Sequence, residues 1–344
     1  MYESTTSVVT DALTSSSPTI FNESTIARIL ALTTSETTGN VAVEQVVVTG
    51  GEVTVAAGTG IAHINSSATE QTTVNAPQNV PVVIFEGLGG VNATFNDGET
   101  TVVGGFGNVE RVVIHSAGAD NFIIADGKNT QITIGANDTV IAGAGNDTVV
   151  AGLGNSTIVG GTGHTIVQLG GNDSDYTVTV DNGRAVVTHS GNNIVTDISK
   201  VQFVQLDDGD ALVFAKDSLE AAVASLYETT FGRAADASGL QFWFDRANEG
   251  ITLEQIADAF TQVAEFEDIA QVSDEAFIES VYQQTFGRAA DETGLDFWLT
   301  QLDNGIDRGD VLEAFANLSA SNLVDNGDGE TTIIGSVYFV PGVI

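Results

Sequence analysis

A nine-residue period between residues 117 and 173 constrains the fold of this chain more than any other feature. A polar residue recurs every nine positions, and in most units an apolar residue follows two positions later. The recurring polar residues are Asp120, Asn129, Asp138, Asp147, Ser156 and Thr165. Period-nine units rich in Gly and Asp are typical of a parallel β-roll, which stacks short strands between Gly-rich turns. The spacing therefore predicts a β-roll over residues 117–173.

Two units make one turn of such a roll, so loops eighteen residues apart are expected to stack on one edge. Asp120 and Asp138 then share one edge, and Asn129, Asp147 and Thr165 share the other. Aspartate carboxylates and the carbonyls of glycine-rich loops are the oxygen ligands that calcium takes, so we expect Ca²⁺ here. The candidate ligands are Asp120, Asp138, Asp147, Asn129, Gly118, Gly143, Gly145, Gly161, Gly163 and Asp173. The alternative is that Asp and Asn beside Gly close the turns by hydrogen bonds to the backbone.

A second acidic loop follows near the end of the chain, at residues 325–330. It resembles the start of a calcium loop but lacks the spacing of an EF-hand, whose last glutamate stands at position 12. Asp325 and Asp328 are further candidate ligands, and a solvated linker is the alternative.

The charge balance also favours bound cations. Ten Lys and Arg stand against 46 Asp and Glu, which gives a formal charge of -36. Self-repulsion at that charge opposes compaction until salt or bound cations neutralise some carboxylates. A nucleic acid requires a basic face, so we expect no nucleic-acid partner. The chain has no cysteine, and it has no apolar run of about 18 residues, so no membrane span is expected.

Other β patterns flank the roll. Residues 1–40 form a Ser/Thr-rich segment with β-branched pieces, such as residues 7–10, and a short helix at 24–32. Residues 41–116 indicate a β domain, and the Gly50-Gly51 pair between two valine-rich runs predicts a hairpin. Residues 174–215 are expected to form a β-hairpin that caps the open end of the roll.

The periodicity changes to 3.6 near residue 216. Asp217 is expected to begin a helix that Gly232 ends, and Asp236 and Thr252 are expected to begin the next two helices. The motif Tyr-x-x-x-Phe-Gly-Arg-Ala-Ala-Asp-x-x-Gly-Leu-x-Phe-Trp begins at Tyr227 and again at Tyr282, 55 positions later. This predicts a tandem of helical repeats over 217–272 and 273–320. The residues expected in its core are Tyr227, Phe231, Leu240, Phe242 and Trp243, with Tyr282, Phe286, Leu295, Phe297 and Trp298. Arg233 and Arg288 are expected to pair with nearby aspartates or cap a helix; the alternative is that they bind polysaccharide or a neighbouring subunit.

The nine-residue units resemble the RTX (repeats-in-toxin) family, whose unit is Gly-Gly-x-Gly-x-Asp-x-apolar-x. Ser156 and Thr165 depart from it by replacing Asp, and Ile134 and Ala136 by replacing Gly. The resemblance implies calcium binding, type I secretion through an uncleaved C-terminal signal, and folding outside the cell. The tail in 321–344 fits such a signal, and an ordinary final strand is the alternative. The helical tandem is similar to a domain of unknown function that recurs in bacterial RTX and surface-layer proteins, and more loosely to phycobilisome linker domains.

No catalytic grouping is recognisable. The four histidines, at 63, 115, 164 and 189, are scattered, and neither His-Glu-x-x-His nor Gly-x-Ser-x-Gly occurs. We therefore expect a protein that is not an enzyme, mainly β with an α C-terminal part. The expected function is a secreted, calcium-binding structural protein that self-assembles as a homo-oligomer or polymer into a surface layer, filament or biofilm matrix. The alternatives are an adhesin that binds cell-surface polysaccharide and a glycan-active enzyme.

Overall fold

The computed structural model describes residues 1–16, 21, 23–66, 72–77, 80–87, 91–95, 101–106, 112–116, 122–124, 129–143, 145–181, 183–207, 211–325 and 337–339. The chain divides into two compact units. The first comprises Met1–Leu169 with Val187–Val201, and the second comprises Gly170–Val186 with Gln202–Ile344.

The elements before residue 170 are mostly short strands. In chain order they are β1 (Tyr2–Thr5), α1 (Thr6–Ser16), α2 (Glu23–Thr33), β2 (Asn40–Val48), β3 (Gly51–Glu52), β4 (Ile61–Ser66), β5 (Thr72–Asn75), β6 (Val82–Gly87), β7 (Val91–Phe95), β8 (Thr101–Phe106), β9 (Val112–Ser116), β10 (Phe122–Ile124), β11 (Thr130–Thr133), β12 (Asp138–Ile141), β13 (Asp147–Val150), β14 (Ser156–Val159) and β15 (Thr165–Gln168).

The elements after residue 170 are strands and then helices. They are β16 (Tyr176–Asp181), β17 (Arg184–His189), β18 (Val195–Ser199), β19 (Phe203–Gln205), β20 (Ala211–Ala215), α3 (Ser218–Phe231), α4 (Ala237–Asn248), α5 (Leu253–Phe260), α6 (Glu267–Ala270), α7 (Asp274–Phe286), α8 (Glu292–Asp303), α9 (Arg308–Asp325) and β21 (Val337–Phe339).

Strands β2 to β15 form a parallel β-solenoid. The even-numbered strands pair in parallel within one sheet, and the odd-numbered strands pair in parallel within a second sheet. Consecutive strands therefore lie in different sheets, and their inward side chains meet between them. Among the buried side chains of this interior are Ile64, Val74, Val83, Ala93, Ile132, Val140, Val149, Ile158 and Val167.

The solenoid begins well before the nine-residue repeats. Strand β9 pairs with β7 on one side and β11 on the other, so pairing continues through residue 116 without a break. The hairpin predicted around Gly50 and Gly51 is wrong, because β2 pairs with β4 and β3 pairs with β5. The two glycines, at φ 132° and 86°, instead turn the chain from one sheet to the other. The predicted fold class, β strands continuing into a parallel roll and then helices, is confirmed.

Two helices cover the outer face of the first sheet near its beginning. Val9 and Leu13 of α1 and Ile29 of α2 are buried in one cluster with sheet residues that include Ile61 and Val82. Strand β1 pairs antiparallel with β2 at the edge of this sheet. The helix predicted at 24–32 is present as α2. The β-branched piece at 7–10 is helical, because Val9 and Leu13 lie one turn apart and bury against the sheet.

The second unit starts with strands. β16 and β17 are neighbours where a hairpin is predicted, and β19 pairs antiparallel with β20. β21 adds in parallel to β20, and the ring of Tyr338 stacks on Phe214 with 5.4 Å between centroids. Residues 337–339 thus form a final strand.

The helices are delimited by the predicted caps. The side chains of Asp217, Asp236 and Thr252 accept hydrogen bonds from backbone N–H groups in the first turns of α3, α4 and α5. Gly232 and Gly287 end α3 and α7 in the left-handed conformation, at φ 65° and 64°. No helix among the described residues is both long and apolar enough to cross a bilayer.

Each repeat has an aromatic core around one phenylalanine. Phe260 contacts Tyr227 with 4.9 Å between ring centroids, and Phe315 contacts Tyr282 with 5.0 Å. Phe242 and Phe297 are 49% and 52% exposed, so their predicted place in the core is wrong. Each meets the adjacent tryptophan in a T-shaped contact, and the guanidinium carbon of Arg246 lies 5.2 Å from the centre of the Phe242 ring.

Candidate functional site

The predicted calcium loops place two aspartates at the starts of strands. Asp138 begins β12 and Asp147 begins β13, and both are almost fully buried. Side chains alternate along a strand, so each aspartate points inward on the same side as the apolar residue two positions later. In the next turn Ser156 lies opposite Asp138, and Thr165 lies opposite Asp147. The predicted eighteen-residue stacking holds for these two pairs.

Hydrogen bonds show what these side chains do in the fold. The Asp147 carboxylate accepts the N–H of Thr130 at 2.8 Å through Oδ1 and the N–H of Gly143 at 3.0 Å through Oδ2. Asp138 accepts the N–H of Gly135 at 2.7 Å. The N–H of Gly161 lies 3.4 Å from the Thr165 hydroxyl oxygen, at the same four-residue offset as Gly143 to Asp147. A hydroxyl and a carboxylate thus both close these loops, which explains why Thr165 stands at a position where Asp is expected.

Burial opposes the charge of Asp147. It raises the pKa of this carboxyl to about 6, although the hydrogen bonds from Thr130 and Gly143 act to lower it. A carboxylate that has lost its water is stabilised by any nearby positive charge. The loop therefore holds an anion whose charge is only partly compensated by backbone dipoles.

The stacking predicted for Asn129 differs from the observed register. Gln131 of β11 lies opposite Thr148 of β13, a spacing of seventeen rather than eighteen. Thr130, which is buried, therefore neighbours Asp147, and Asn129 instead accepts the N–H of Asn146 at 2.8 Å. The nine-residue count puts the inward apolar residue of this unit at position 131, which is Gln131. The apolar residue is Ile132, one position later, and it indicates the shifted register.

The same one-residue shift separates β10 from β12. Ile123 lies opposite Val140, again seventeen positions apart. Asp120 and Gly118 themselves lie outside the described residues.

The loop glycines allow successive turns to approach closely. The N–H of Thr162 donates to the carbonyl of Gly143 at 3.0 Å, and a Cβ added at Gly161 would overlap that carbonyl oxygen. The Gly143 carbonyl predicted as a ligand is thus used between turns. Gly145 and Gly163 lie in the same two loops, and Gly145 is buried.

The other predicted ligands belong to the second unit. Asp173 begins an exposed 3₁₀ turn in the second unit and accepts the N–H of Ser174 at 2.6 Å. Asp325 is the last residue of α9, so the predicted acidic loop starts inside a helix. Asp328 lies outside the described residues.

The donor set matches calcium in kind but is low in charge. The Thr130 hydroxyl hydrogen-bonds the Asp147 carboxylate, and Thr165 lies opposite Asp147 in the next turn; calcium prefers oxygen ligands of these kinds. Within the described parts of the chain, no three His, Asp or Glu side chains come together as a metal cluster. Each of these two loops therefore offers a single carboxylate to a cation.

The comparisons with known proteins concern the helical part. Residues 215–270 and 267–322 each match the model of a domain of unknown function, DUF4214. Neither the curated proteins nor the solved structures give a match to this chain. The chain thus combines a parallel β-solenoid with a tandem of helical repeats, each of which matches the DUF4214 model.

Proposed function

We propose that this chain is a secreted structural protein, an RTX-like solenoid that binds calcium and assembles with its own copies into a surface layer, filament or extracellular matrix. The observation that carries the proposal is the burial of Asp138 and Asp147 inside stacked turns of a chain with a formal charge of -36. A compact state of this kind gains stability when a divalent cation offsets the buried negative charge.

Calcium would be held at the Asp147 loop by the carboxylate of Asp147, the hydroxyls of Thr130 and Thr165, and loop carbonyls. The corresponding residues at the other edge are Asp138 and Ser156. The ion would supply positive charge to carboxylates that otherwise rely on backbone N–H groups. A single carboxylate at each loop supports weak binding, which suits the millimolar calcium typical of extracellular modules.

The edge of the solenoid offers a route to assembly. Strand β1 is the edge strand of its sheet, and an unpaired edge can add a strand from another chain. Exposed apolar side chains lie beside it: Met1, Tyr2 and Val8 are each more than half exposed. Tyr2 and Val8 also line an apolar pocket of about 250 Å³ between α1 and the sheet. Burial of these side chains would favour contact between copies.

Electron microscopy and sedimentation of the full chain, in millimolar calcium and after chelation, test this proposal. Ordered assemblies that form with calcium and disperse with chelator are expected. The double variant Asp138→Asn with Asp147→Asn should assemble without responding to calcium or should fail to assemble. A wild-type chain that stays monomeric at high concentration in calcium would falsify the assembly, and identical melting with and without chelator would exclude the calcium role.

Binding of cell-surface polysaccharide is a second candidate, and exposed aromatic rings favour it. Phe242 and Phe297 occupy equivalent places in the two repeats, each beside a tryptophan, and aromatic faces can stack on sugar rings. Glycan binding by the full chain that is lost in the variant Phe242→Ala with Phe297→Ala would support this function. Equal binding by that variant would reject these rings as the site.

A further inference from the structure

The two helical repeats hold an arginine in the same setting. Arg233 and Arg288 each follow the glycine that ends a helix, α3 or α7. The guanidinium carbon of each lies 5.5 Å from the centre of a tyrosine ring, Tyr227 in the first repeat and Tyr282 in the second. An aromatic surface thus fixes the arginine in both repeats.

The first arginine has a well-placed carboxylate partner. The Nε and Nη2 atoms of Arg233 donate to the two carboxylate oxygens of Glu265, both at 2.8 Å. This is the paired geometry in which arginine binds a carboxylate most strongly. It replaces the predicted pairing with Asp236, whose carboxylate caps α4.

The second arginine lacks such a partner among the residues that the structure describes. Nη1 of Arg288 donates to the carbonyl of Ala289 at 3.2 Å and lies 3.9 Å from Asp291. Asp291 already accepts the N–H of Gly294 at 2.8 Å, as the cap of α8. The Arg288 side chain is 56% exposed, so the edge that binds Glu265 in the first repeat is open to solvent here.

The path of the chain explains this difference. After α5 ends at Phe260, the chain turns, and the 3₁₀ turn Ala264–Phe266 brings Glu265 back to Arg233. In the second repeat α9 continues without a break to Asp325. The residue 55 positions after Glu265 is Ala320, which is buried. The second repeat therefore keeps the arginine and its aromatic surface but has Ala320 at the position of the acid.

Helix α8, next to this arginine, is also less covered than its counterpart. Leu240, Phe244 and Ala247 are buried in α4, whereas α8 has no buried residue. The Tyr282 hydroxyl, below the arginine, lies so close to Gly294 that an added Cβ would overlap it. The exposed Arg288 and helix α8 therefore lie side by side over the buried Tyr282, and are named here the second-repeat surface.

We infer that the second-repeat surface binds a second copy of this chain, and that Arg288 takes a glutamate or aspartate carboxylate of that copy as Arg233 takes Glu265. The copies carry 46 acidic and ten basic residues and repel one another over most of their surfaces. An exposed arginine is therefore where an anionic copy is attracted, and arginine and aromatic residues are enriched where protein interfaces gain most of their affinity. The inference rests on the proposed assembly and names one contact within it.

The test is the self-association of the full chain in millimolar calcium, measured by sedimentation equilibrium. Arg288→Gln is expected to weaken association about tenfold, because truncating one interface arginine commonly has an effect of that size. Arg288→Lys keeps the charge but loses the two-pronged geometry, so an intermediate loss is expected. Arg246→Gln is the matched control: Arg246 is 48% exposed, pairs with Glu249 at 2.8 Å, and its loss changes the net charge equally. This control should associate like the wild type.

The outcomes separate the inference from the proposed function. If the wild type assembles and Arg288→Gln assembles equally well, the inference is overturned and the assembly stands. If the wild type stays monomeric, the proposed assembly fails first, and the inference fails with it. A titration with oligogalacturonate adds a third arm. Binding of this sugar that depends on Arg288, with self-association unchanged by the substitution, would overturn the second copy as occupant and assign the site to a uronate polysaccharide.

Discussion

Asp147 and Thr165 close successive loops with different chemistry. Each side chain accepts the N–H of the glycine four residues earlier. The hydroxyl of Thr165 carries no charge, whereas the carboxylate of Asp147 does. Only the aspartate incurs the cost of burying an anion, which is why its pKa rises to about 6. The loop geometry tolerates either residue, and the response to pH or to cations belongs to the aspartate.

This difference predicts a pH-dependent stability. The folded state holds the Asp147 proton more tightly than the unfolded state, because burial raises the folded pKa from 3.8 to about 6. The stabilising contribution is complete below the unfolded pKa and is lost as the pH rises through 6. Relative to Asp147→Asn, the wild-type free energy of unfolding should therefore fall by about 2 kcal/mol between pH 4 and pH 7.

Urea unfolding followed by circular dichroism measures this difference, and calcium is left out with chelator present. The control is Thr165→Val, which removes a loop acceptor without removing a charge and should shift the stability equally at both pH values. A wild-type curve parallel to that of Asp147→Asn would show that burial does not perturb this carboxyl.

Gly161 predicts a steric effect in the same loops. A Cβ at this position would overlap the carbonyl oxygen of Gly143 in the preceding turn. Neither atom can move aside without a shift of the backbone. Gly161→Ala should lower the free energy of unfolding by about 3 kcal/mol, as overpacking typically does. At Gly170 an added Cβ meets only a movable carboxylate oxygen of Asp207, at 3.3 Å, so Gly170→Ala is the control and should have a much smaller effect. Thermal melting of both variants measures the two losses, and equal losses would contradict the predicted steric overlap at Gly161.

The residue pattern predicted the loop aspartates but not all of their neighbours. Asp138 and Asp147 lie where the nine-residue period places them, and Ser156 and Thr165 stack on them as expected. Thr130 was missed because the period was counted from Asn129, although the apolar alternation points to Ile132. A strand slipped by one residue turns every side chain to the other face, so a single insertion or deletion defeats a count based on spacing alone.

At the scale of elements, helices with explicit end signals were predictable. Asp217, Asp236 and Thr252 begin helices as predicted, because capping depends on residues next to each other in the sequence. Helix α1, and the turn at Gly50 and Gly51 that leads from one sheet to the other, were not predictable from the sequence. Both depend on packing against strands far along the chain. The sheet that α1 covers is assembled from β2, β4 and β6, which no local pattern brings together.

The aromatic cores give a test of the corrected helical assignment. Phe315 is 1% exposed and contacts three aromatic rings, so Phe315→Ala should cost about 3–5 kcal/mol of unfolding free energy. Phe297 is 52% exposed, and Phe297→Ala should cost well under about 1 kcal/mol. Guanidinium unfolding followed by tryptophan fluorescence compares the two. Equal losses of unfolding free energy in the two variants would show that Phe297 is a core residue.

At the scale of the whole molecule, the net charge of -36 acts against every compact state of the chain. Raising NaCl from 10 to 150 mM shortens the screening length from about 30 Å to about 8 Å, which weakens this repulsion. The melting temperature should rise by about 2–4 °C, measured by differential scanning calorimetry with chelator present. A melting temperature that does not change with NaCl would mean that the carboxylates are too far apart to repel effectively.

The pairing of each solenoid strand with the strands one turn before and after it makes length an adjustable property. A turn added by duplication of residues 138–155 would meet the same kinds of neighbours on both sides, because Asp138 and Ser156 already occupy equivalent places. Gain or loss of one turn leaves the strand pairing of the other turns unchanged, because each turn contacts only the turns next to it. Gene-level expansion in steps of eighteen codons could therefore lengthen the molecule while preserving the register of its sheets.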